Sequence, residues 1–229
     1  MKHIVLFDID GTLLRARGIG ENAFKKAFQD VFEMTPSWES INLNGRTDPD
    51  IIDEICHLMN GKPQTSRENE RLQERFIAHF QTMITHHENF TLLPGIESLL
   101  TTLSREKDIV LGIETGNLQP TAHMKLARGN IHSYFQTGGY GSDSRDRKEI
   151  VRIAIERIQA QSAFPTEFSV TVIGDSVNDI LAAEANFARS IGVSTGGITF
   201  ETFTAKCTPT LLLSDLSDTD SIVSFIKAS

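Results

Sequence analysis

Short apolar runs alternate with helix-periodic stretches through the second half of this chain, and that alternation restricts the fold more than any other feature. Ile109 to Ile113 and Val170 to Ile173 read as buried strands, with further short strands at Ala188 to Val193 and Thr210 to Leu213. Helical spacing separates them. It runs through Ile96, Leu99, Leu100 and Leu103 behind Pro94-Gly95, then Pro120 to Arg128, Lys148 to Gln161 and Asp179 to Ala185, and closes over Ser221 to Ile226. Lys2 to Phe7 is one more apolar strand, set far ahead of the rest. Such alternation predicts an α/β fold built on a doubly wound parallel sheet.

Residues 16–88 interrupt the pattern, because they are helical only. Ala23, Phe24, Ala27 and Phe28 place a helix over Glu21 to Glu33. A second helix starts after Thr47 or Asp48, with Pro49 in its first turn. Leu72, Phe76, Phe80, Met83 and Ile84 form a third stripe, and Trp38 reads as a packing residue among these helices. The expectation is an inserted helical cap over 16–88 on an α/β core made of residues 1–15 and 89–229.

Three strands end on polar residues. The first runs into "DIDGT" (Asp8 to Thr12), another into "ETGN" (Glu114 to Asn117), another into "GDSVND" (Gly174 to Asp179). Ligands of open α/β sheets lie beyond the carboxyl ends of the strands. If these strands are neighbours, Asp8, Asp10, Asp175 and Asp179 converge there with Thr115 and several glycines. Each piece alone has a plain structural reading: Asp175 or Ser176 caps a helix, and "TGN" makes a turn. Two acids one residue apart are harder to explain that way, since a turn needs only one. Clustered carboxylate oxygens suit a hard cation, with Mg²⁺ the usual choice beside a phosphate group.

The charge balance agrees. A net charge of −8 and a pI near 5.4 disfavour nonspecific binding to nucleic acid or to an anionic membrane. They leave room for a small anionic substrate, because a metal and a few local cations invert the field of one pocket. Two distant cysteines, Cys56 and Cys207, argue against a disulfide framework or a zinc site. Without a membrane-length apolar run or a signal peptide, the expected location is the cytoplasm, as monomer or homodimer.

"DIDGT", "ETGN" and "GDSVND" resemble motifs one, two and four of the haloacid dehalogenase-like hydrolase superfamily, and the helical insertion is similar to the small cap of its phosphoglycolate phosphatase-like members. The resemblance implies a phosphoric monoester hydrolase acting on a small phosphorylated metabolite. Asp8 would be the nucleophile that forms an aspartyl-phosphate, and Asp10 the acid and base for the leaving oxygen and the water. Mg²⁺ would be held by the Asp8 carboxylate, the Asp10 backbone carbonyl and Asp175, with Asp179 as ligand or anchor. Thr115 and the Gly116 N–H, with Asn117 beside them, would hold the phosphoryl oxygens. Motif three departs from the family pattern, because "SRDRKEI" has no Lys-Pro pair. Arg147 is the favoured cation there, with Lys148 and Arg145 as alternatives. "NGRTDPDII" resembles the cap loop near the substrate, where Arg46 would meet an anionic group, unless it is solvated at a helix start.

Asp10 favours phosphate chemistry over dehalogenation, since a halide leaving group needs no proton. Two other functions remain open at this stage. One is a sugar phosphomutase of the same superfamily; the other is a non-catalytic phospho-acceptor module.

Overall fold

The computed structural model describes residues 1–37, 41, 45–60, 64–161, 167–197 and 199–228, so Trp38 lies outside the described residues. In chain order they form β1 (Lys2–Phe7), β2 (Leu14–Ala16), α1 (Ile19–Phe32), α2 (Asp48–Asn60), α3 (Ser66–Ile84), β3 (Phe90–Leu92) and α4 (Ile96–Arg105). There follow β4 (Ile109–Thr115), α5 (Gln119–Arg128), β5 (Thr137–Tyr140), α6 (Arg147–Ala160), β6 (Phe168–Gly174), α7 (Val177–Ala185), β7 (Arg189–Val193), α8 (Phe200–Lys206), β8 (Leu211–Leu213) and α9 (Thr219–Lys227).

The main sheet has the order β5-β4-β1-β6-β7-β8, and every pairing in it is parallel. This is the doubly wound α/β architecture that the alternation predicts. β1 is interior and apolar on both faces, as a covered parallel strand must be. Val5 and Phe7 enter one buried cluster with Leu99, Leu111 and Ile113. Ile4 and Leu6 enter another, with Val151, Ala154 and Ile158 of α6. The chain builds outward from β1 through β4 to β5, then returns to the other side for β6, β7 and β8. β1 therefore sits at the point where strand order reverses, and its carboxyl end opens between those of β4 and β6.

β2 and β3 pair antiparallel, Leu14 against Leu92 and Ala16 against Phe90. Between them run α1, α2 and α3, which share their own apolar cluster around Phe24, Phe28, Ile52, Leu72, Phe76 and Phe80. The Phe24 and Phe76 rings stack with centroids 3.7 Å apart. Burying each such ring is worth about 1.5–3 kcal/mol. Leu118, ahead of α5, packs into the same cluster and ties these helices to the sheet region.

Several elements escape the sequence patterns. β5 reads Thr-Gly-Gly-Tyr, a poor strand signal. Its glycines answer to packing: a Cβ on Gly139 would lie 2.0 Å from the Ile150 carbonyl oxygen of α6. β2 and β3 are only three residues each, too short for a period to register. α8 has seven residues and buries only Phe203. Among the described residues no helix is long and apolar enough to cross a membrane, and Cys56 and Cys207 are free thiols.

Candidate active site

The carboxyl end of β1 is held by the sheet itself. The Asp8 N–H donates to the Ile173 carbonyl at 2.9 Å, continuing the pairing one residue beyond the strand. Gly11 then turns the chain with φ +84°, in the left-handed region. A Cβ there would also approach Asp175 Oδ2 to 2.6 Å, so the position suits glycine twice over. Thr12 Oγ1 donates to Asp175 Oδ1 at 3.3 Å. Beyond β6, Ser176 caps α7. Its N–H and Oγ donate to Asp179 Oδ2 at 2.9 and 2.8 Å, and the Asp179 N–H returns to Ser176 Oγ at 3.3 Å. One Asp179 oxygen is thus spent on the cap, and the other bonds the Arg147 guanidinium.

Asp8, Asp175 and Asp179 are all buried, and each offers a carboxylate oxygen within 4.8 Å of the others. Burial, reinforced by Asp179 and Asp10, raises Asp8 to about 7 against the opposing pull of Arg147. Burial and the Asp8 charge push Asp175 well above the usual carboxylate range. Arg147 opens α6 and is only 7% exposed. Its Nη2 lies 3.3 Å from Asp8 and 2.8 Å from Glu114 Oε2. Glu114, on β4, is fully buried, and burial drives its pKa up as well. Asp8, Glu114 and Asp179 pair with one guanidinium, and Asp175 stands beside Asp8 and Asp179, so the acids outnumber the cation and the donor set is all oxygen. Both properties fit a hard divalent cation.

β4 delivers Thr115, buried, with Gly116 and Asn117 following it along the wall of a cavity of about 490 Å³. Thr115 Oγ1 accepts from the Asn117 N–H at 3.4 Å. The Asp10 carboxylate stands outside the triad of acids and pairs instead with Lys125 of α5, whose Nζ also donates to Asn117 Oδ1 at 2.7 Å. The loop before α2 docks on this wall. The Asp48 N–H donates to the Gly116 carbonyl at 2.8 Å, and Asp48 Oδ2 accepts from the Leu118 N–H at 2.9 Å. Thr47, not Asp48, receives the helix N–H, from Asp50 at 3.3 Å.

The three motif-three candidates separate clearly. Arg147 is beside Asp8; Lys148 is exposed on α6; Arg145 is exposed and pairs with Asp53 of α2. Exposed ion pairs contribute little, so Arg145→Ala is expected to change turnover by less than about twofold, read in the same assay as the Arg147 variants. Arg46 lines the cavity, but its guanidinium bonds Asp50 at 2.6 Å and also Glu54, both from α2. A bound anion would have to compete with those two carboxylates.

Lys125 and Glu114 are the residues that pattern reading passes over. Each left a signal. Lys125 falls on the buried stripe of Thr121, Ala122 and Leu126, and Glu114 is the one charged residue of β4.

A model of the haloacid dehalogenase-like hydrolase family matches residues 5–193 of the 229. The chain belongs to the haloacid dehalogenase-like hydrolases. Among relatives of this family, the pyrophosphatase PpaX of Oceanobacillus iheyensis is 23% identical over 224 residues, covering 96% of this chain and 95% of that one. The phosphoglycolate phosphatase of Photorhabdus laumondii is 25% identical over 214 residues, covering 93% and 89%. Both carry the names of phosphate-releasing hydrolases, in line with the enzyme class expected from the motifs. The crystal structure of CbbY from Rhodobacter sphaeroides in complex with phosphate superimposes with a TM-score of 0.74 at 20% identity, covering 95% of this chain and 96% of that one. That likeness supports the haloacid dehalogenase-like fold.

Proposed function

We propose that this protein is a Mg²⁺-dependent phosphatase that hydrolyses a small phosphorylated metabolite through an aspartyl-phosphate on Asp8. The observation that carries the reading is the meeting of Asp8, Asp175, Asp179 and Arg147 at the carboxyl end of β1, with Asp10 beside them on the cavity wall. Asp8, Asp175 and the Asp10 backbone carbonyl would hold the ion, with Asp179 as ligand or anchor. The ion supplies positive charge against the phosphoryl oxygens and the crowded acids.

Asp8 attacks phosphorus and the ester P–O bond breaks. Asp10 gives its proton to the departing oxygen, then takes one from the water that cleaves the acyl-phosphate. Thr115, Gly116 and Arg147 receive the phosphoryl oxygens. Residues 16–88 act as a cap, and the contacts of Asp48 with Gly116 and Leu118 support closure of that cap over the reacting group. A cavity of about 490 Å³ suits a metabolite-sized ligand. Free thiols and a net charge of −8 suit a cytoplasmic setting.

The test is a panel of phosphorylated metabolites, phosphoglycolate and hexose phosphates among them, assayed with Mg²⁺ and with chelator. Turnover that needs Mg²⁺ supports the reading. No turnover, with a stable phospho-Asp after acetyl phosphate treatment, would favour a phospho-acceptor module instead.

Metal binding is also expected to depend on pH. In the folded protein Asp8 is raised from 3.8 to about 7, so between those values the folded state keeps a proton that the unfolded chain has lost. Stability of the metal-free protein therefore falls as pH rises through that window. Mg²⁺ needs the ionised carboxylates, so its stabilisation grows over the same range. The rise in melting temperature on adding Mg²⁺ should be larger at pH 8 than at pH 5. An equal rise at both would contradict the assignment of Asp8 as a ligand.

A further inference from the structure

We propose that Lys125 is the positioning residue for Asp10, orienting that carboxylate toward the leaving group of the reaction; this rests on the phosphatase reading above. The Asp10 side chain is 43% exposed on the cavity side. Among the described residues its carboxylate has one polar side-chain partner, the Lys125 ammonium, which bonds Oδ2 and leaves Oδ1 without a protein partner. An exposed Asp held at one oxygen keeps a single orientation; without that bond it rotates freely, and a proton donor that rotates is in line for transfer only part of the time.

Lys125 is built for such a task. Its side chain is 8% exposed, an unusual burial for lysine. The ammonium is held from the other side by Asn117 Oδ1 at 2.7 Å, and it lies 5.7 Å from the centre of the Phe80 ring of α3. So the cation is pinned between motif two and the inserted helices, and Asp10 is pinned to it. Arg147, in contact with Asp8, already supplies the cation beside the nucleophile. Lys125 stands on the Asp10 side, where the ester oxygen departs.

The plain alternative is a buried lysine that merely needs acceptors, with Asp10 and Asn117 serving it. Leaving-group dependence separates the two. Phenyl phosphate has a poor leaving group and depends on proton donation; 4-nitrophenyl phosphate has a good one and depends on it little. Lys125→Met keeps the apolar stem and loses the ammonium. It is expected to slow phenyl phosphate by about tenfold or more, a fraction of what full acid catalysis supplies, and 4-nitrophenyl phosphate by less than about threefold. In an Asp10→Asn background the same substitution should cost less than about threefold with phenyl phosphate, because the group it orients is gone. Lys125→Arg, which retains a cation, should recover part of the loss. If Lys125→Met does not fold, Lys125→Gln is read on the same two esters. Equal slowing of both esters, or losses from Lys125→Met and Asp10→Asn that multiply in full, would overturn the proposal. Wild-type protein that turns over neither ester with Mg²⁺ would instead overturn the phosphatase reading, and this inference with it.

Discussion

Asp8→Asn is expected to lower turnover of 4-nitrophenyl phosphate by at least about 10³-fold, on the scale of losing a covalent nucleophile. The amide is nearly isosteric and keeps the backbone bond from Asp8 N–H to Ile173, so the fold should persist. The physics adds a second, opposite effect. Asp8 is raised to about 7 by burial and by its acidic neighbours, so its charge is unfavourable in the metal-free protein. Removing that charge should raise the melting temperature measured in EDTA at pH 8, while activity disappears. Loss of activity with gain of stability is the mark of a residue kept for chemistry at a structural cost. Residual turnover within tenfold of wild type would remove Asp8 as the nucleophile.

Arg147→Met is expected to fail in both respects. Arg147 faces Asp8, Glu114 and Asp179, and all three carboxylates are buried. Taking away the one cation among them leaves uncompensated buried charge, which costs about 3–5 kcal/mol when a buried pair is broken from one side. The denaturation midpoint should fall accordingly, and fall further at higher pH, where the acids can no longer escape by holding protons. Turnover should drop by roughly 10²-fold or more, as when a preorganised donor to the reacting group is lost. Arg147→Lys keeps the charge and loses the fork, so it should recover most of the midpoint and part of the rate. An Arg147→Met protein matching wild type in both midpoint and turnover would exclude the role given to this residue.

How far such a site can be read without coordinates differs from residue to residue. Asp8 and Asp10 stand out because two carboxylates at a strand end conflict with local propensity, and a local conflict is visible in one dimension. Asp175 and Asp179 fit a capped helix start and join them only through the order of the three motifs. Thr115 and Gly116 follow from the end of a recognisable strand. The motif-three cation does not. Arg145, Arg147 and Lys148 lie within four positions of one another at a helix start, and the sequence favours Arg147 while leaving the other two open. The phase of α6 against the sheet decides between Arg147, turned into the core, and Lys148, left outside, while Arg145 stands before the helix cap and pairs with Asp53. Arg46 shows the opposite difficulty. Its loop suggests an anion, yet Asp50 and Glu54 on the next turns of α2 take up its guanidinium.

The fold divides along the same line. β1, β4, β6 and the major helices were legible because burial imposes a period on them. β5 was not, because its glycines answer to the Ile150 carbonyl of a helix that arrives later in the chain. What the one-dimensional pattern determined for this protein was its architecture and the acidic residues that meet at the end of β1, since strand–helix alternation and clustered motif acids are properties of neighbours along the chain. Which cation faces Asp8, which one faces Asp10, and why Glu114 is tolerated inside the sheet were decided only in three dimensions. The energy of a charge depends on distance and burial, and both are set by segments more than a hundred residues apart, as Lys125 is from Asp10.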